Sequence, residues 1–410
     1  MRIRTLTPIW TGDIYRECSR LRETAIIGSL RWWFEAIVRG LGGYACDPTS
    51  DIKCEYKNNR NDICAVCELF GTTSWARRFK LEIKQSFREI YYGNLIIRGN
   101  RRNWYYPSGL VNCDDIPNEI RQILQFDSSV DSILRVLSEF ISEWCMIGGK
   151  TAIGYGVVRF EDGNGNHLKA SDEDIDEFLK EYLKIKKNHG KNAKGAPKIS
   201  EMFFAKFRVK ENCIGEIINK IKENINVKNN EKQFPRKVFK CNDSEENMND
   251  ARSFLLRLKD YYGFIPVSAL IRRELRRRIR EKWVNNDELR HFLMGKLGRF
   301  SVINISHLYW TGGEWEFRIW GWTPKDLKKL DSNNSVSRSD VVKFIVETLN
   351  DKNFWKSVFG SHSFLRKSEE DKIVVEYPHK NWNFIDLGKL NDIEDIKKAF
   401  KIMVVGDENE

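Results

Sequence analysis

One order of chemical types occurs twice in this chain. In the first half "IIGSLRWWFEAIVRGL" precedes "ELFGTTSWARRFKLEI"; in the second, "FIPVSALIRRELRRRI" precedes "HFLMGKLGRFSVINIS". Each copy holds an apolar entry, a serine, an arginine-bearing helix, a turn of Phe and Gly, basic residues and a strand. Repetition of a whole supersecondary unit points to two copies of one fold. A length of 410 residues is also more than one ordinary core accommodates.

Within the first copy the element order is legible. "RIRTLTPIWTG" reads as a strand. Ile26, Leu30, Trp33, Ile37 and Leu41 recur every three or four residues and mark a helix that Gly42 and Gly43 stop. "RRFKLEIKQSF" and "EIYYGNLIIRG" read as strands, "SVDSILRVLSEFISEWCMIG" as a second amphipathic helix, and "TAIGYGVVRFED" as a last strand. The order β-α-β-β-α-β predicts an α+β chain of two tandem ferredoxin-like (RRM-like, βαββαβ) domains, helices on one face of an antiparallel sheet. The expected boundaries are 1–165 for the first domain, with a cysteine-rich insertion at 46–67, and 200–410 for the second. Between them, 166–199 carries the charged helix "SDEDIDEFLKEYLKIKK" and the Lys/Gly/Asn-rich linker "NHGKNAKGAPK".

Composition narrows the class. The chain carries a formal net charge of +11, and 12% of its residues are aromatic, which suits an acidic partner such as nucleic acid as well as plain solubility. No apolar run follows the basic start "MRIRTLTPIWTGDIY", and no stretch reaches the roughly 20 apolar residues of a membrane span. Nine cysteines, an odd number, then predict reduced thiols in a cytoplasmic protein rather than a disulfide framework.

Cys46, Cys54, Cys64 and Cys67 form C-x7-C-x9-C-x2-C. The C-x2-C pair lets one short turn offer two thiolates from one direction, and four thiolates make a closed tetrahedral zinc site. The intervening "DPTSDIKCEYKNNRND" has no core of its own, so a structural Zn2+ is its natural organiser. Against this, the first spacer is longer than zinc knuckles usually have, and a redox-active or incidental cysteine pair fits the same text.

Three basic segments suit single-stranded RNA. "TTSWARRFK" offers Arg77 and Arg78 to phosphates and Trp75 as a stacking plane, or else Trp75 belongs to the core. "GKLGRFS" offers Lys296 and Arg299 in the second copy. "IRRELRRRIREKW" places Ile271, Leu275, Ile279 and Trp283 on one stripe; Arg272, Arg273 and Arg276 lie off it, either as a solvated face or, since so one-sided a run repels itself, facing an anion, RNA or an acidic neighbouring subunit. "GGKTAIGYGVV" lacks the first glycine of a Walker loop, Trp144 standing there, and strand-like text follows it, which argues against a nucleoside triphosphatase. It remains a glycine turn that either approaches phosphates, with Lys150 and Thr151 at its tip, or simply joins a helix to a strand.

With these pieces together the chain resembles the RAMP superfamily of CRISPR-associated proteins, and within it the two-domain first-subunit family of the Cmr (type III-B) RNA-targeting complex. The residues that carry the resemblance are "LTPIWTG", "AIIGSLRWWFEAIVRGL", "CELFGTTSWARRFKLEI" and "GGKTAIGYGVV", over about the first 160 positions. Arg31, Trp32 and Trp33 match the family's Arg-aromatic-Trp, while Ile27 stands where a basic residue is expected. The cysteine insertion is similar to zinc-binding insertions of related RAMP backbone proteins. The resemblance implies single-stranded RNA binding near the 3′ end of a guide RNA, a role for Arg31 in it, and other Cmr subunits as partners in antiviral defence. It also implies that cleavage belongs to other subunits.

The rival function is a metal-independent endoribonuclease that processes guide RNA. Such an enzyme needs a base near pH 7, usually His, against a ribose 2′-hydroxyl. No histidine precedes His167; His291 and His307 lie beside the second copy's turn, and His307 is the remaining candidate. A zinc hydrolase is excluded for want of H-E-x-x-H or a similar open site.

Overall fold

A computed structural model describes most of residues 1–376 and, beyond them, Lys401. Outside the described residues lie 50–52, 84–86, 91–94, 98–103, 113–119, 125–127, 186–191, 193–194, 226–236, 240–244, 297–300, 325–326, 328–335, 362–363, 366–374 and some single positions.

The first half is built on β1 (Arg2–Thr5), whose alternation buries Ile3 and Thr5. Helix α1 (Glu23–Gly40) follows and turns Ile26, Leu30, Trp33 and Ile37 inward, as the sequence period requires. Then come the short helix α2 (Ala65–Phe70), β2 (Phe79–Ile83), β7 (Ile120–Leu124), α3 (Ser128–Trp144) and β8 (Val158–Glu161). Antiparallel ladders join β1 to β8 and β2 to β7, and β1 lies against β7. These are two separate two-stranded ladders, and α1 and α3 pack together, α1 also against β2 and α3 against β8.

Two features differ from the reading of the sequence. Between β2 and β7 the chain inserts two further ladders, β3 (Phe87–Ile90) with β6 (Gly109–Asn112) and β4 (Leu95–Ile97) with β5 (Trp104–Tyr106). The segment expected to be one strand over "EIYYGNLIIRG" is thus divided. The expected strand "TAIGYGVVRFED" also starts late: Thr151–Ile153 is a single 3-10 turn, and β8 begins only at Val158. Positive φ at Gly148, Lys150, Gly154 and Gly156 forbids an extended run through this text. A Cβ on Gly156 would meet the Ile147 oxygen at 2.0 Å.

After α4 (Asp172–Ile185), the second half opens with β9 (Met202–Val209), α5 (Ile214–Lys222), the ladder β10 (Lys237–Phe239) with β11 (Glu245–Asn247), and α6 (Ala251–Tyr262). It continues through β12 (Phe264–Ile265), α7 (Ser268–Lys282), α8 (Asp287–Met294), β13 (Ile303–Ile305), β14 (Leu308–Trp310), β15 (Trp315–Trp322), α9 (Arg338–Asn350), α10 (Lys352–Phe359) and β16 (Val375–Glu376). Its sheet runs β12-β14-β15-β9-β16, with β13 also paired to β15. Its core order is β16-β9-β15-β13.

The two halves share a core. Trp33 packs on Trp320 at 4.9 Å between ring centroids, and Phe140 on Phe204 at 5.7 Å. Arg318 on β15 reaches the end of α3, donating to the carbonyls of Ile141 (3.3 Å), Ser142 (2.6 Å) and Cys145 (3.0 Å). Most of the expected linker lies outside the described residues, but Asn192 binds back to the Gly43 oxygen and the Ala45 amide at 2.9 and 3.0 Å. No described helix is long and apolar enough to cross a membrane.

Candidate metal centre and nucleic-acid interface

Cys64 caps the start of α2, so Cys64 and Cys67 project from one helical turn, and the loop before it delivers Cys46 and Cys54 to the same point. The four sulfurs lie within 4.8 Å of one another, all buried. Cys46 Sγ stands 3.3 Å from Cys67 Sγ, and the Cys64 amide donates to Cys54 Sγ at 3.3 Å. Hydrogen bonds from Cys46 and its neighbours push the Cys64 thiol down, while the same contacts push Cys54 and Cys67 up. Four thiols that close cannot all ionise without a cation among them. The donor set fits a closed tetrahedral thiophilic ion.

The long helix supports this centre from one face. Arg31 Nη2 donates to Cys67 Sγ at 3.2 Å, Nη1 to the Gly71 oxygen at 2.8 Å, and Nε to Glu35 Oε1 at 3.0 Å. Glu35 Oε2 accepts from Arg39 Nη2 at 3.1 Å, and Arg39 also donates to the Cys46 and Ala45 oxygens at 3.0 and 3.2 Å. Burial raises the Glu35 pKa against the opposing pull of both guanidiniums. The structure thus places Arg31 at the cysteines rather than on an open face.

Gly71 ends α2 with φ 84°, and a Cβ there would meet the Arg77 nitrogen at 3.0 Å. Beyond it, Thr72 and Trp75 exchange backbone hydrogen bonds at 3.0 Å, closing a tight turn. Trp75 is half-buried. One face of its ring meets Tyr56 at 4.9 Å, and its Nε1 donates to the Glu68 oxygen at 3.0 Å. Arg78 is held within ion-pair reach of Glu68 (3.6 Å) and Glu181 (3.7 Å). Arg77 is exposed, and its Nε donates to the Phe79 oxygen at 3.0 Å.

The glycine loop does two jobs. Gly148 and Gly149 leave room for Trp10: Cβ atoms on them would lie 2.8 Å from its carbonyl oxygen and 2.5 Å from its ring. Lys150, in the left-handed region, is exposed and carries Nζ 5.0 Å from the centroid of the same ring. Trp10 is therefore paired with an exposed cation, although nothing local in "TPIWTG" announced it. Thr151 turns the other way, donating to Asn304 Oδ1 at 2.9 Å. Both copies of the helix serine hold this loop. Ser29 Oγ accepts from the Gly148 amide at 3.0 Å, and Ser268 Oγ donates to the Ile153 oxygen at 2.6 Å.

In the second copy the arginines divide. Arg272 is buried, donating to the Met294 and Ile303 oxygens at 2.6 and 2.9 Å, and burial lowers its pKa to about 10. Arg273 donates to Asn224 Oδ1 at 2.6 Å. Arg277 pairs with Glu274 and Glu281, and Arg278 with Glu274 and Asp351, so the anions that relieve this run are in good part its own. Arg276 lies near Arg290, Asp287 and His291; burial and the cations Arg290, Lys296 and Arg276 lower the His291 pKa. Lys296 is exposed just after Gly295, and Arg299 lies outside the described residues.

Of the histidines, His307 is fully buried between Tyr106, Tyr155 and Phe264, and burial holds its pKa near about 3. His167 stands with Nδ1 3.3 Å from Glu143 Oε1, and burial lowers it to about 4. Despite its own burial, Glu143 is kept well below the usual carboxylate range by Lys206.

Residues 2–159 match the RAMP superfamily model. Among solved structures, the chain is similar to Cmr1 from Pyrococcus furiosus in its apo form, at 15% identity and a TM-score of 0.37, over 79% of this chain and 88% of that one. It is also similar to a chain of the type III-B Cmr-beta complex bound to cognate target RNA, at 11% identity and a TM-score of 0.31, over 84% and 98%. Likenesses this loose do not define a common fold. No curated protein matches the sequence.

Proposed function

We propose that the chain is a non-catalytic, single-stranded RNA-binding subunit of a type III-B CRISPR (Cmr) effector complex. In this reading it works in the cytoplasm, docks on other Cmr subunits and positions guide or target RNA near the guide 3′ end in antiviral defence. The observation that carries the RNA part is Lys150 over Trp10: an exposed ammonium on a half-buried aromatic plane, inside the RAMP-matched residues. Exposed Arg77 adds a second cation in the same half. The place in a Cmr complex rests on the motif resemblance set out above.

The second-half order β16-β9-β15-β13 puts the last strand beside the first and the third between first and second, which supports a ferredoxin-like unit there; in the first half the last strand pairs with the first, β8 with β1, and the third with the second, β7 with β2. The four cysteines would hold a structural Zn2+ that organises the insertion, with no position left open for substrate water. His307, the base an endoribonuclease needs in the second half, is sealed in the core, which supports binding without cleavage.

The test is salt-dependent binding of an unstructured RNA by the wild type and by Lys150→Ala with Arg77→Ala. Two lost phosphate contacts lower the slope of log affinity against log salt by about 1.4 for a single strand. An unchanged slope with unchanged affinity would place RNA elsewhere. Cleavage of that RNA, with a 2′-deoxy copy spared, would favour the endoribonuclease.

A further inference from the structure

We propose that Arg31 is the outer positioning residue of the four-cysteine metal centre, and that through it the centre fixes the Gly71 turn from which the Trp75–Arg77 loop departs. The inference rests on reading the cysteines as a metal site, and it changes the part expected of Arg31.

The geometry is that of one guanidinium joining two structures. Its Nη2 is 3.2 Å from Cys67 Sγ and its Nη1 is 2.8 Å from the Gly71 oxygen. Glu35 orients the third arm at 3.0 Å and is itself held by Arg39, which grips the backbone at Cys46, the first ligand of the insertion. The acid and two cations at positions 31, 35 and 39 form one stripe of α1. They touch the insertion at both ends, Cys46 and Cys67, without supplying a ligand.

A four-thiolate ion centre is anionic, and this one is buried. A guanidinium hydrogen bond withdraws charge from one sulfur and balances part of the excess, as partners behind metal ligands generally do. Because the same guanidinium holds the Gly71 carbonyl, it cannot leave the sulfur without loosening the turn. Trp75 closes on that turn, and Arg77 follows it directly.

The experiment uses the full chain, reduced and loaded with Zn2+ or Co2+, as wild type, Arg31→Met and Arg31→Lys. Metal transfer to a chromophoric chelator should be about 10- to 100-fold easier for Arg31→Met, with Arg31→Lys recovering part of the loss. In the Co2+ protein, loss of the N–H···S bond should move the sulfur-to-metal charge-transfer band of Arg31→Met to longer wavelength. A purely structural defect would not do that, and Arg31→Lys should move it less. Amide exchange over residues 72–75 should rise in wild type when metal is stripped, and should already be raised in loaded Arg31→Met. Equal metal retention and an unshifted band in Arg31→Met overturn the role of Arg31 while leaving the metal site standing. A wild type that takes up neither ion removes the metal reading itself, and the proposal with it. If Arg31→Met does not fold, Arg31→Lys alone decides, because a wild-type band and retention there exclude a need for the guanidinium fork.

Discussion

At the scale of single residues, the buried imidazole of His307 makes the fold sensitive to acid. Among the described residues neither of its ring nitrogens has a hydrogen-bond partner, and Gly154 packs so closely that a Cβ there would meet Nδ1 at 2.3 Å. Its neighbours are Tyr106, Tyr155 and Phe264, none of which repays a positive charge. The folded pKa near about 3 lies below the unfolded value of about 6.5, so the unfolded chain takes the proton first. Stability from this group is complete above about pH 6.5 and falls by about 1.4 kcal/mol per unit as pH drops toward the folded value. His307→Phe fills the same aromatic nest without titrating. Between about pH 7.5 and 5, the wild type should lose about 2 kcal/mol more than the variant in urea unfolding. Equal losses would contradict this assignment of His307. Residue chemistry was only partly legible in the sequence. The cysteine spacing identified four sulfurs that meet, but nothing local distinguished half-buried Arg31 and buried Arg272 from Arg77 and Lys150, which are exposed. Burial of an arginine depends on which carbonyls the fold brings to it.

At the scale of elements, α3 depends on the other half for its last turn. Arg318 donates to three of its terminal carbonyls and takes Tyr309 Oη as a further partner at 2.7 Å. Arg318→Met keeps the stem but orphans those oxygens in a dry place, so unfolding free energy should fall by at least about 3 kcal/mol. A loss within about 0.5 kcal/mol, the range of ordinary surface substitutions, would show that water replaces the guanidinium there. Helix periods were the most readable feature of this chain: α1, α3 and α7 lie where their apolar stripes put them. The text around Lys150 was misread because a left-handed lysine leaves no mark in composition and Gly-Val-rich text resembles a strand. The added ladders between β2 and β7 were missed because strands of three or four residues show too little alternation to count. The self-repulsion expected of α7 was overstated, since Asp351 arrives from α10, far along the chain.

Across the whole molecule, the two copies do not behave as beads on a string. Trp33, Phe140, Phe204 and Trp320 form one aromatic contact across the halves, and the Gly148–Gly154 loop is held by Ser29 from one copy and Ser268 from the other. Thermal unfolding should therefore give one calorimetric transition whose van't Hoff and calorimetric enthalpies agree. Two resolved transitions would mean that the halves fold separately. The repeated order of chemical types was visible in the sequence, whereas the shared core was not, because a repeat says nothing about which faces meet. The repeated text also supplies an internal comparison. Gly71 and Gly295 adopt almost the same backbone, φ 84° with ψ 158° and φ 73° with ψ 163°. In each case an arginine of the preceding long helix ties down the end of the short one, Arg31 at the Gly71 oxygen and Arg272 at the Met294 oxygen. Among the described residues, Arg272 keeps this knot in the second copy with carbonyl partners and no thiol. The thiolate arm of Arg31 is thus an addition to a joint that already stands, and a metal-depleted protein should slacken toward the plain form its other half displays rather than come apart.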